Sequence, residues 1–384
     1  LVKILKPSVT QFFFLSLFKK NAMPSTEDFI FKGIYNAQQS GESIWSAPSN
    51  IALVKYWGKK ENQIPANPSL SFTLRNCKTE TRIAYTPKVT DSRFSFDFLF
   101  EGTAKASFRP KIETYFERIA PYCRYVNDFH FAIDSLNTFP HSSGIASSAS
   151  GMAALSVNIM DLEKQLNPEM SMDFFWQKAS FLARLGSGSA CRSLKGSLVV
   201  WGEHPEIEGS SNLYGVEFQK TTHSNFKYYQ DTILLVDKGE KQVSSSVGHD
   251  LMHNHPFAQK RFEQAHQNLT SLQELLVSGD LEQFIQLIES EALTLHAMMM
   301  TSMPYFILMK PNTLEILNRI WNFRRETKIP VGFTLDAGAN VHVLYPENDK
   351  ANVLQFIQSE LVGYCQKEQY ICDEIGNGAQ KIER

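Results

Sequence analysis

Residues 129–151 read F-H-F-A-I-D-S-L-N-T-F-P-H-S-S-G-I-A-S-S-A-S-G. Phe129, Phe131 and Ile133 alternate with His130, Ala132 and Asp134, the period-two pattern of a strand. The strand runs into a loop of small hydroxylated residues, and an apolar helix is expected from about Ser150 to Met160. Small side chains let a backbone approach a ligand closely. The start of a helix adds unpaired N–H groups and the positive end of its dipole. Ser147 and Ser148 contribute hydroxyl donors. The segment reads as a phosphate cradle, or else as a Ser/Gly capping turn with no ligand. It lacks the Gly-Lys-Ser/Thr ending of a Walker loop and the G-x-G-x-x-G of a dinucleotide fold.

Upstream, Leu70, Phe72 and Leu74 alternate with Ser69, Ser71 and Thr73, a second strand pattern. Ile112, Tyr115, Phe116 and Ile119 recur at helical spacing after Pro110, a favoured first-turn residue. Downstream, a helix is expected over 172–185, a Gly/Ser loop at 186–189 and a strand at 197–201. The polar stretch 203–228 is the expected passage between two lobes. Beyond it lie expected strands at 232–236, 330–335 and 341–345, with helices near 256–277, 280–299, 312–326 and 349–362. Strands and helices mix without a regular βαβ period, which argues for an α+β fold rather than a doubly wound sheet.

The 384 residues suffice for two packed lobes, and 43% hydrophobic with 20% charged residues is ordinary for a globular core. A formal net charge of −2 supplies no global field toward nucleic acid or anionic lipid, so neither is an expected partner. Any anionic ligand must therefore be met by a local cluster of cations. Five widely spaced cysteines with no C-x-x-C pair suggest reduced thiols in a cytosolic protein. The apolar run 11–18, flanked by Lys3, Lys6, Lys19 and Lys20, is too short to span a bilayer, which takes about 20 residues. Met23 opens a plausible natural start, so residues 1–22 are expected to be an extension outside the native fold.

Three further stretches carry chemistry. In S-A-P-S-N-I-A-L-V-K-Y-W-G-K, residues 46–59, Lys55 sits within an apolar run, where an ammonium needs a carboxylate or an anionic ligand. Lys59 and Lys60 fit lysines that reach outward to water equally well. In G-S-G-S-A-C-R, residues 186–192, hydroxyls and a guanidinium alternate with residues too small to obstruct them, and Arg192 suits a carboxylate or a phosphate. In V-G-F-T-L-D-A-G-A-N, residues 331–340, Asp336 ends a strand before a small-residue turn; it is either a ligand-facing acid or a turn former. A rival lies in H-D-L-M-H, where His249 and His253 stand four apart with His255 nearby, the spacing of a zinc pair. Its middle acid is Asp, and Pro256 closes the segment.

In this order the motifs resemble the mevalonate diphosphate decarboxylase family of the GHMP kinase superfamily. The likeness runs from about Ser46 to Tyr345, on N-I-A-L-V-K-Y-W-G-K, N-P-S-L-S-F-T-L, the serine loop, G-S-G-S-A-C-R-S-L and the Asp-Ala-Gly turn. The resemblance implies a two-lobed GHMP kinase fold. Residues 23–215 would form a ribosomal-protein-S5-domain-2-like lobe and 216–384 a ferredoxin-like α/β sandwich lobe, with the active site in the cleft between them. It implies ATP-dependent decarboxylation of mevalonate 5-diphosphate to isopentenyl diphosphate, through phosphorylation of the 3-hydroxyl. A related mevalonate 3-kinase or monophosphate decarboxylase is the alternative, and a non-catalytic binding protein is a further one.

The resemblance also implies roles. Asp336 would be the catalytic carboxylate, with Lys55 beside it and Arg192 on the substrate carboxylate. Tyr56, Trp57, Gly58, Lys59, Lys111, Ser187, Gly188, Ser189, Ala190, Cys191 and Ser245 or Ser246 would surround the substrate, with Arg109 an alternative to Lys111. Ser142, Gly144, Ser147, Ser148 and Ala149 would contact the ATP phosphates. Magnesium would travel with ATP rather than on dedicated protein ligands. A cytoplasmic homodimer is implied as well. The chain departs from the family pattern in its H-S-S-G-I-A-S-S-A-S loop, in Ala339 where proline is usual, and in S-S-S-V-G-H where S-S-T-x-G-M is common. These departures bear on nucleotide and substrate preference and remove no charged group.

Overall fold

The computed structural model describes residues 24–140, 145–237 and 245–383. In chain order the first half lays down β1 (Gly41–Val54), β2 (Ser69–Pro87), β3 (Ser95–Phe100), β4 (Thr103–Ala104), α1 (Arg109–Ile119) and β5 (Phe129–Asn137). Helices α2 (Ser147–Leu166) and α3 (Met172–Gly186) follow, then β6 (Leu198–Trp201) and β7 (Gly215–Glu217). The second half adds β8 (Gln230–Leu234), α4 (Ser245–Asp250), α5 (Ala258–Ser278), α6 (Leu281–Met300) and α7 (Pro311–Thr327). It closes with β9 (Gly332–Thr334), β10 (Val341–Tyr345), α8 (Lys350–Phe356), β11 (Tyr370–Glu374) and β12 (Gln380–Lys381). The expectation for residues 1–22 falls outside the described residues.

The strands form two sheets. The first has the order β12-β1-β2-β5-β3-β4, with β6 on the far end of β2 and β7 on β6. Among the described residues only β3 and β5 pair in parallel. The pairing of β1 with β2 shifts register between Pro48 and Asn50 and between Ala52 and Val54. The second sheet has the order β11-β8-β10-β9, antiparallel throughout, with helices packed against it. The last strand, β12, returns from the second lobe to pair with β1 at Trp45 and Ser46.

Helix α2 is pinned to the first sheet by polar groups as well as by its apolar residues. The amide of Asn158 donates to the carbonyls of Thr81 (3.0 Å) and Ala154 (2.8 Å), and Ser43 Oγ donates to Asn158 Oδ1 at 2.6 Å. Buried groups thus paired fix one register of helix on strand. The helix begins three residues earlier than its apolar pattern suggests, at Ser147, with Ala146 as its N-cap.

Leu70, Phe72 and Leu74 and the alternating Ser69, Ser71 and Thr73 lie in the strand their pattern predicts, and all six are buried. The apolar set packs with Leu269, Leu272, Ile285 and Ile288 of α5 and α6 in one core shared by both lobes. The hydroxyl set faces the 187–201 segment, where Ser69 meets Arg192 and Trp201. The Gly/Ser stretch expected as a loop instead ends α3 and winds into a 3-10 turn, Gly188–Ser193. A second tie joins the lobes: Asp373 of β11 accepts the amides of Arg75 (3.1 Å), Asn76 (2.9 Å) and Cys77 (2.7 Å).

Between α2 and α3 lies a fully buried ion pair, Lys178 Nζ to Glu163 Oε2 at 2.6 Å, which also takes the Tyr125 hydroxyl at 2.9 Å. Removing one member leaves an uncompensated buried charge, so Lys178→Met should cost about 3–5 kcal/mol in urea unfolding. The double change Lys178→Met with Glu163→Leu should recover most of that loss.

Candidate active site

Lys55 follows directly on β1, and Asp336 opens the turn after β9. Their side chains meet across the lobes at 2.8 Å, Nζ to Oδ1, with Lys55 2% and Asp336 29% exposed. The carboxylate makes burial of the ammonium tolerable, and its own partial exposure leaves it facing a cleft. That cleft encloses about 1160 Å³, counting space open to solvent, and its walls include Lys55, Asp336 and Arg192.

Arg192 is 2% exposed and borne on the 3-10 turn. Its Nε donates to Asn50 Oδ1 at 3.3 Å, Nη1 donates to Ser69 Oγ, and the guanidinium lies 5.7 Å from the Trp201 ring centroid. Asn50 in turn donates to Ser193 Oγ (2.7 Å) and the Ser189 carbonyl (3.0 Å), locking the turn to β1. No ion pair holds Arg192 among the described residues, and burial pulls its pKa down. A buried cation so held calls for an anionic ligand.

Beside it, Tyr56 packs edge-on to Trp201 at 4.6 Å, and its buried hydroxyl has no hydrogen-bond partner among the described residues. Gly188 makes this packing possible: a Cβ there would lie 2.9 Å from both the Tyr56 hydroxyl and Trp201. Ser187 and Ser189 also line the cleft. Ala190 and Cys191 do not. Ala190 is core, and Cys191 is buried with its thiol donating to the Gly188 carbonyl, so both support the turn from behind.

The opposite wall carries Ser147, Ser148 and Lys111. Lys111 is exposed where it borders the cleft, and desolvation by the surrounding protein lowers its pKa. Arg109, the alternative, is committed elsewhere: it pairs with Glu113 at 2.9 Å and lies over Phe96. Ala149 also turns away, being fully buried with its amide donating to the Ala146 carbonyl at 2.8 Å. Lys59 lines the cleft and meets the exposed Asp250 at 3.4 Å. Ser142 and Gly144 fall outside the described residues; Ser245 and Ser246 open α4. Past Lys111 and the two serines lies a second chamber of about 610 Å³, walled mainly by Phe98, Phe100, Phe108, Ile133, Met152 and Leu155.

His249 does not serve as a zinc ligand. Its Nδ1 accepts the Gly58 amide at 3.0 Å, and its ring lies between Tyr56 (4.2 Å) and Trp57 (4.7 Å). His255 instead bonds the Met298 carbonyl, and among the described residues no three His, Cys, Asp or Glu converge as metal ligands. The bond from Gly58 puts the remaining proton of His249 on Nε2. Burial, helped by Lys59 and Arg192, pushes its pKa down to about 3, so it lines the cleft as a neutral ring. Spacing alone suggested a metal; what it missed is that Trp57 and Gly58 are built around this imidazole. Asn50, the anchor of Arg192, was also missed as a site residue.

Residues 47–213 match the diphosphomevalonate decarboxylase-like N-terminal domain, and residues 232–382 the mevalonate 5-diphosphate decarboxylase C-terminal domain. The chain is 29% identical over 329 residues to the diphosphomevalonate decarboxylase of Debaryomyces hansenii, covering 81% of each. It resembles the crystal structure of a mevalonate diphosphate decarboxylase from Legionella pneumophila at 30% identity and TM-score 0.72, covering 86% of this chain and all of that one. It also resembles MDDEF in complex with MVAPP, AMPPCP and magnesium, at 26% identity and TM-score 0.76, covering 90% of this chain and 100% of that one.

His249 makes a testable contribution to pH dependence. Its folded pKa lies far below the unfolded value near 6.5, so the unfolded chain binds more protons as pH falls below neutrality, and stability falls with it. Between pH 7.5 and pH 5 this single group should remove about 2 kcal/mol. His249→Asn, whose Oδ1 can still accept the Gly58 amide, should flatten the fall by that amount in urea titrations. An unchanged slope would contradict the assignment.

Proposed function

The chain belongs to the diphosphomevalonate decarboxylase family, and from that premise we propose that its cleft decarboxylates (R)-mevalonate 5-diphosphate at the expense of ATP, giving isopentenyl diphosphate, ADP, phosphate and carbon dioxide. The carrying observation is the meeting of Lys55 and Asp336 at 2.8 Å on the wall of a cleft that also holds the buried Arg192.

In this reading Asp336 accepts the proton of the 3-hydroxyl as that oxygen bonds the γ-phosphorus and the bond to ADP breaks. Lys55 keeps the carboxylate ionised and offsets charge on the moving phosphoryl group. The C3–O bond then breaks, the electron pair leaving with phosphate. Arg192 holds the substrate carboxylate, and the electrons of the breaking C1–C2 bond form the C2=C3 double bond as carbon dioxide leaves. Such chemistry depends on position and charge more than on covalent catalysis. Tyr56, Lys59, Ser187 and Ser189 hold the substrate and its diphosphate. Ser147 and Ser148 at the start of α2 face the ATP phosphates with Lys111, and the aromatic chamber beyond them suits the nucleoside. Magnesium, when bound with ATP, would supply charge neutralisation on those phosphates. The hydroxyls of Ser147 and Ser148 and the Asp336 carboxylate are oxygen donors suited to a hard cation.

Residues 23–215 thus present the nucleotide side, and 216–384 deliver Asp336. A cytoplasmic homodimer completes the reading on the family likeness, and the five free cysteines accord with a reducing compartment. Among the described residues no helix is long and apolar enough to cross a membrane.

Incubation with Mg-ATP and mevalonate 5-diphosphate should release ADP and carbon dioxide in equal amounts. ADP without carbon dioxide would instead mean a kinase. Asp336→Ala and Arg192→Ala should each lose about a hundredfold or more in kcat, on the order of 3 kcal/mol, while remaining folded by circular dichroism.

A further inference from the structure

Lys55 lies one residue beyond β1, where the ladder to β2 ends at Val54 and Leu70. Its peptide groups must therefore find partners outside the sheet. The Lys55 N–H donates to Glu291 Oε2 at 2.8 Å, and its carbonyl accepts from Asn67 Nδ2 (2.9 Å) and Arg261 Nη2 (3.1 Å). Glu291 and Arg261 are themselves a bidentate pair, at 2.9 and 2.6 Å, with both side chains fully buried. Glu291 also takes the amide of Asn268 at 2.5 Å.

A buried ion pair is a poor source of stability, because desolvating both charges offsets their attraction. What this one supplies is direction: charge-assisted bonds that clamp the two peptide units flanking the Lys55 Cα. The other half of the reacting pair is held by the same helix. His296 Nε2–H donates to the backbone carbonyl of Asp336 at 3.2 Å. Burial lowers the pKa of His296 to about 4, so the ring stays neutral at working pH and its hydrogen bond does not switch. Glu291 and His296 are separated by about 7.5 Å of rise along α6.

We propose that α6 is the gauge that sets the Lys55–Asp336 contact, with Glu291, Arg261 and His296 as positioning residues that never touch substrate. One helix spans the joint between the lobes, grips the backbone of the lysine with Glu291 and that of the aspartate with His296, and so fixes the spacing of two side chains drawn from opposite ends of the chain. The inference rests on those two side chains being the reacting pair.

Two sets of variants test it. Arg261→Met with Glu291→Leu removes both charges together, so no lone charge is left buried; the orphaned Lys55 N–H should lower the thermal midpoint modestly while the protein stays folded. Turnover should fall at least tenfold in kcat with the KM of both substrates within about twofold, a loss of positioning and not of binding. His296→Leu should show the same split, whereas His296→Gln, whose amide nitrogen can stand in for Nε2, should regain most of the rate. Crystals of the double variant should show Lys55 Nζ and Asp336 Oδ1 beyond hydrogen-bond reach, about 3.5 Å, a readout independent of activity. Wild-type kcat in the double variant, equal impairment in the Leu and Gln variants, an unchanged distance, or a double variant that does not fold would each overturn the proposal. An inactive wild-type protein with the lengthened variant contact would instead reject the functional reading and leave the gauge standing.

Discussion

Bringing an ammonium out of water is tolerable only where an anion meets it, and in this chain that anion is a carboxylate from 281 residues away. The contact between Lys55 and Asp336 dictates much else. It requires the end of β1 and the turn after β9 to converge, hence two lobes packed on one shared core. It places a partly exposed acid at a cleft whose buried cation Arg192 has no counter-ion among the described residues. Formal net charge is −2, so the cationic character is local to this cleft and not a property of the surface at large. A substrate with a carboxylate at one end and a diphosphate at the other complements that arrangement.

Rigidity follows from how these groups are borne. Lys55, Arg192 and Ser147 sit at a strand end, in a short 3-10 turn and at a helix start, not on long loops. Asn50 and Ser69 orient Arg192 from two neighbouring strands, and the apolar face of β2 seats α5 and α6. The bonds of Asp373 to β2 and the return of β12 to β1 stitch the second lobe back onto the first. A site whose charges are already aimed has little reorganisation left to do when charge develops in the reaction.

Much of this was legible in the residues. Lys55 stood out because it interrupts an apolar run, and 129–151 gave strand, loop and helix in order. Period and residue type speak only to local structure, and that is where the reading stopped. Alternation in β2 correctly signalled a strand but not that a second lobe would cover its other face. Spacing made His249 look like a metal ligand, when an imidazole between two aromatic rings needs only a backbone amide to satisfy Nδ1. Small residues flanking a site suggest contacts, yet Ala149, Ala190 and Cys191 face the core; a motif does not say which way its side chains turn. Nothing local marked Glu291 and Arg261, since a charged residue on a helix ordinarily reads as solvated surface.

The central claim is that Lys55 and Asp336 act as one unit. A double-mutant cycle on single-turnover rates, with Lys55→Met, Asp336→Asn and the pair together, tests it most directly. If they act as a unit, the double variant is scarcely slower than the worse single variant. Losses that multiply across the two sites would show that the groups work independently, and the account would be wrong.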